Sequence, residues 1–147
     1  MTMSSVRPTR TARRSGYAIA VIVNAAVLYG ANVWPGWQVL PFLTADTALV
    51  MGLVNASILT SLAANLVYLA SDTPFVKALG DVVTTATALA AAVRMWQVFP
   101  FDFGTASFDW ALLVRVALVA GMIAGAIQII VALVSLLRSL RNRADSP

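Results

Sequence analysis

The chain contains no cysteine, no histidine and no glutamate. Each absence removes a class of chemistry. Disulfides, thiol nucleophiles and thiolate metal sites are excluded within the chain for want of cysteine. Imidazole acid–base catalysis and histidine-ligated haem or zinc fall with the missing histidine. The anionic inventory reduces to six aspartates, Asp46, Asp72, Asp81, Asp102, Asp109 and Asp145. Lysine is almost absent as well, and its one representative, Lys77, falls at a helix end, where a mid-membrane Schiff base to retinal is out of reach. No two of the remaining acid–base or nucleophilic residues fall in a catalytic spacing. The expectation is a non-enzyme with no catalytic residue, no metal and no cofactor.

Charge of either sign is scarce. Charged residues make up 11% of the 147 positions and hydrophobic ones 60%, with a mean hydropathy of +0.84. Soluble domains carry about 25% charge, so this balance belongs to the membrane class. The net charge of +4 does not point to nucleic acid, because seven of the ten basic residues (Arg7, Arg10, Arg13, Arg14, Arg138, Arg141 and Arg143) sit in the terminal segments. There they read as orientation signals, and the expected partner is the lipid bilayer.

Long apolar runs are what the chain does have. A span of about 20 apolar residues crosses a bilayer, and the sequence accommodates four, at about 17–40, 47–70, 74–99 and 110–137. The expected class is all-α, a polytopic membrane four-helix bundle over 17–139. A basic segment, 1–16, precedes it and a basic tail, 140–147, follows. A cleaved signal peptide is the alternative for the first span, but the run is too long and lacks a small-residue cleavage site. Ser71-Asp72-Thr73-Pro74 predicts a tight turn, with Thr73 as N-cap and Pro74 at the first helical position. Pro35 and Gly36 predict a kink near the outer end of the first helix.

Flanking basic charge sets orientation. The two termini and the 71–77 turn carry it, whereas loops 41–46 and 100–109 hold Asp46, Asp102 and Asp109 and no basic residue. Both termini are therefore expected inside. The aromatic residues Trp34, Trp37, Phe42, Trp96, Phe99, Phe101, Phe103, Phe108 and Trp110 gather at the outer ends as an interfacial belt. The Ala-, Val- and Arg-rich composition points to the inner membrane of a bacterium.

Residues 37–42 read Trp-Gln-Val-Leu-Pro-Phe and residues 96–101 read Trp-Gln-Val-Phe-Pro-Phe. This match suggests two tandem, parallel-oriented helical hairpins arising by duplication, related by an axis along the membrane normal. The same offset logic pairs the second helix with the fourth and puts Asn65 opposite Gln128.

Polar groups inside the spans are the candidate sites. On the third helix Lys77, Gly80, Asp81, Thr84, Thr87, Ala91 and Arg94 share a face. Asp81 lies roughly 10 Å inside the helix at 1.5 Å per residue, with Lys77 one turn away and Asn65 expected at similar depth. This cluster is either structural or a proton or cation site. Arg94 and Arg115 are expected at one level near the outer face with Asn32, either snorkelling to the loop aspartates or forming an anion or lipid-headgroup site. Gly121, Gly125 and Gln128 on the fourth helix, and Gly52 and Ala56 on the second, form small-residue stripes suited to close helix packing. The leading expectation is a protein acting through helix packing, as a homo-oligomer or an accessory subunit of a membrane complex. The alternatives are a small oligomeric transporter or channel with a polar path along the third helix from Asp81 to Arg94, and a lipid- or anion-binding protein using Arg94 and Arg115.

Overall fold

The computed structural model describes residues 7–146. Residues 1–6 of the basic N-terminal segment and Pro147 of the tail lie outside the described residues. The chain forms four α-helices: α1 Arg10–Asn32, α2 Ala48–Ala70, α3 Pro74–Val98 and α4 Trp110–Ala144. All four are long and apolar enough to cross a membrane.

The helix starts follow local chemistry. Thr9 caps α1, its hydroxyl accepting from the Ala12 N–H at 3.2 Å. Thr73 caps α3 the same way and Pro74 occupies the first turn, as the turn sequence predicts. Asp109 caps α4, its carboxylate accepting from the Leu112 N–H at 2.9 Å. Each such cap is worth about 1 kcal/mol. At its C-terminus α3 stops where Phe99 turns left-handed (φ 44°) before Pro100, because the residue before proline is pushed out of the α region.

The first helix departs from expectation. It begins at Arg10, inside the basic segment, and ends at Asn32 rather than kinking and running on to Leu40. Pro35 offers no N–H and Gly36 sits at φ +85°, so the helical ladder stops instead of bending. Residues Trp37–Val39 form a separate 3-10 turn. The fourth helix also outruns its expected span. Its 35 residues make a rod of about 52 Å, against a hydrocarbon core of about 30 Å. Arg138, Arg141 and Arg143 lie in its last turns, and Arg143 rests on the Phe75 ring in the first turn of α3.

Packing follows chain order: α1 against α2, α2 against α3, and α3 against α4, with no comparable interface joining α1 to α4. Small residues set the close approaches. A Cβ at Gly80 would run into the Tyr68 ring and hydroxyl, so only glycine lets α3 seat against α2 there. At Gly125 an added Cβ would lie 2.7 Å from a Leu89 methyl across the α3–α4 contact. Few residues are buried, and α1 has none. Large side chains such as Ile22 and Ile130 are more than half exposed, at 68% and 61%. Apolar area of this extent needs lipid or protein cover.

At one end of the helices the two long loops are joined. An isolated antiparallel bridge pairs Leu43 with Phe101. The Thr44 N–H donates to the Pro100 carbonyl at 3.0 Å and the Asp102 N–H to the Phe42 carbonyl at 2.9 Å. This is the aromatic end; the basic end carries the 71–73 turn and both described termini. The matching hexapeptides meet here in different conformations: Trp96 to Val98 are the last turn of α3, whereas Trp37 to Val39 are a 3-10 turn outside α1.

Candidate functional site

Polar groups gather at three levels. Nearest the basic end, Asp81 accepts from the Lys77 ammonium at 3.2 Å and from the Tyr68 hydroxyl at 3.0 Å. The same hydroxyl lies 3.1 Å from the Lys77 carbonyl, and the Lys77 ammonium sits 5.1 Å from the centre of the Tyr68 ring. Tyr17 of α1 packs on Tyr68 with ring centres 5.4 Å apart. The carboxylate's charge is therefore balanced by the ammonium, the phenol donates it a further hydrogen bond, and α1 joins the cluster through Tyr17. Arg13 and Asp72, 3.2 Å apart, tie the start of α1 to the adjacent turn.

Asn65 stands apart from this cluster, since its amide donates to the Ser61 carbonyl one turn back at 2.7 Å. Tyr68 holds the place expected of Asn65. Helical side chains lean toward their own N-terminus. Asp81 on α3 leans toward the basic end while Asn65 on antiparallel α2 leans away from it. The long Tyr68 side chain, starting nearer the turn, closes the gap. Spacing along one helix could not have found it, because the contact crosses the α2–α3 interface.

At mid-span the groups are neutral. Nearer the aromatic end Asn32, the last residue of α1, and Asn55 of α2 exchange two amide hydrogen bonds, at 2.9 and 2.7 Å. Asn24 donates to the Ser61 hydroxyl at 3.1 Å across the same interface. Thr60 and Thr87 bring their hydroxyls to 2.7 Å between α2 and α3. Thr84 turns its hydroxyl back on the Gly80 and Asp81 carbonyls. Where α1 and α4 fail to close, a groove of about 590 Å³ remains, lined by Asn24, Ser57, Ser61, Thr84, Gly125 and Gln128 among others. All four helices contribute to it.

The two arginines are placed differently from each other. Arg115, exposed on α4, lays its guanidinium 4.0 Å from the centre of the Phe99 ring and 5.2 Å from that of Trp96. Arg94 is half-buried on α3. Among the described residues neither forms an ion pair with Asp46, Asp102 or Asp109. Asn32 is committed to Asn55 rather than to the arginines. Of the packing residues, Gly125 meets Leu89, whereas Gly52 and Gly121 have no atom within 4 Å of an added Cβ. Ala56 is half-buried on α2, and Gln128 is exposed, with no side-chain hydrogen bond among the described residues. No group of three or more potential acidic metal ligands is assembled among the described residues. No protein-family model, curated protein or solved structure matches the chain.

Proposed function

We propose that this chain is a multi-pass membrane protein that works through lateral helix packing, as a homo-oligomer or as an accessory subunit of a membrane complex, without catalytic activity. The observation that carries the reading is the unclosed side between α1 and α4. It holds the exposed Gln128 amide in mid-span, while Gly52 on α2 and Gly121 on α4 have no neighbour against them. Hydrocarbon offers an amide no hydrogen-bond partner, so such a group calls for a protein or water neighbour. Glycines without a neighbour suit the close approach of another helix.

Orientation in this reading follows the charge, with the basic end in the cytoplasm and the aromatic end outside, in a bacterial inner membrane. The shared hexapeptide supports a duplicated hairpin. A transport path along α3 draws less support, because the stripe is largely spent on α2: Asp81 on Tyr68 and Thr87 on Thr60.

The test is purification of the full chain in mild detergent, with mass determination and identification of co-purifying proteins. The absence of cysteine makes Gln128→Cys a clean reporter of proximity. A multimer or stable complex that cross-links through this position is expected. A monodisperse monomer without partner, recovered equally from native membranes, would overturn the proposal.

A further inference from the structure

The aromatic end holds an open cleft of about 720 Å³, lined by Pro41, Phe42, Asp102, Phe103, Ala106 and Trp110 among others. Its volume is within the usual range for small-molecule sites, about 300–1,000 Å³. Its walls are pre-formed. Phe42 and Phe103 stack across the two loops with ring centres 5.9 Å apart, and Phe103 stacks in turn on Phe101 at 6.0 Å. The antiparallel bridge at Leu43 and Phe101 pins the loops beneath them.

The charge of this cleft is one-sided. Loops 33–47 and 99–109 contain Asp46, Asp102 and Asp109 and no lysine or arginine. Asp102 is oriented by the Gly104 N–H, which donates to its Oδ1 at 2.9 Å, and no basic side chain pairs with it among the described residues. A second cleft of about 380 Å³ on the same loop shares Asp102, Phe103 and Trp110 and adds Asp109. A carboxylate beside aromatic surface favours a cation, and ring faces attract it further. The chain already uses this chemistry nearby, where the Arg115 guanidinium rests on Phe99. A small hydrated metal ion would find one carboxylate and mostly carbon. An ammonium wrapped in alkyl groups finds both halves of its chemistry matched.

The geometry points to a binding site for an alkylated ammonium group in the cleft that Phe42, Phe103 and Trp110 line, with Asp102 as its counter-charge. The group could arrive on a free organic cation or on a lipid headgroup, since the cleft opens at the aromatic end. The site does not depend on the assembly proposed above.

The test uses the full chain in phosphatidylglycerol nanodiscs, titrated with choline and with its neutral isostere 3,3-dimethylbutan-1-ol by calorimetry and saturation-transfer NMR. Choline is expected to bind saturably and the isostere about tenfold more weakly. Asp102→Asn keeps an acceptor for the Gly104 N–H but removes the charge, and should weaken choline by a similar factor. Trp110→Ala should do the same, while Asp46→Asn, outside the cleft, should not; retained helicity on circular dichroism establishes that each variant folds. Exchanging the lipid for phosphatidylcholine assigns the site: displacement of choline indicates a headgroup ligand, and unchanged binding a free cation. Equal binding of the two isosteres, or wild-type affinity in Asp102→Asn, would overturn the proposal.

Discussion

The two hairpins are held together by different chemistry. Between α1 and α2 the Asn32–Asn55 pair and the Asn24–Ser61 bond stitch neutral polar groups across the contact. Between α3 and α4 no side-chain hydrogen bond crosses among the described residues. There Gly125 seats against Leu89, Arg115 lies on Phe99 and Arg143 lies 4.2 Å from the centre of the Phe75 ring. The contrast follows from where polarity can be tolerated. Neutral amides can sit within a helix–helix contact if they satisfy one another. Charged groups are displaced toward the helix ends, where rings and headgroups receive them. The joint between the hairpins combines both modes, with Thr60 and Thr87 at mid-span and Asp81, Lys77 and Tyr68 near the basic end.

Overpacking should break the second hairpin most severely. Gly125→Leu forces Leu89 aside and is expected to cost about 1–3 kcal/mol, read as a lowered midpoint of unfolding in detergent by circular dichroism. Gly80→Leu should act with similar force on the joint, because Tyr68 fills the space. The first hairpin should be most sensitive to losing one amide of a pair. Asn55→Leu strands Asn32 and is expected to cost about 0.6–1.7 kcal/mol, and a double-mutant cycle with Asn32→Leu should recover most of that as coupling. Additivity of the two would mean the amides act independently. Arg115→Ala removes a cation from two rings at an exposed position, for about 0.5–1 kcal/mol. Arg115→Lys should retain part of it. The smallest effect on stability is expected at Gly121→Leu, where an added side chain meets open space. There the readout is assembly: a mass shift toward monomer with the unfolding midpoint unchanged separates an intermolecular face from an internal one.

The starts of α3 and α4 and the hairpin turn were legible in the sequence because their causes are local. Thr73 and Pro74 act within one turn, and so does Asp109. The end of α1 was not. Apolar composition continues past Asn32 to Leu40, and proline in such a run permits either a kink or a stop. Which occurs depends on whether neighbours satisfy the freed backbone groups. The hexapeptide match was legible as letters only, since its two copies differ in backbone. For the candidate sites, the Lys77–Asp81 pair followed from spacing on one helix. Tyr68 did not, because its partner lies across an interface whose register depends on the Gly80 contact. The arginines illustrate the same limit: depth along a helix can be counted, but rotation about its axis comes from packing.

By itself the sequence determined that four segments are long and apolar enough to cross a membrane, and the sign of charge at each end. Those properties are sums over local composition, and transfer of apolar segments out of water obeys such sums. Only the tertiary structure decided that α1 and α4 leave a side open, that Tyr68 rather than Asn65 serves Asp81, and that Phe42, Phe103 and Asp102 come together in one cleft. These depend on helix rotation and loop pairing, set by contacts between residues far apart in the chain. No local sum contains them.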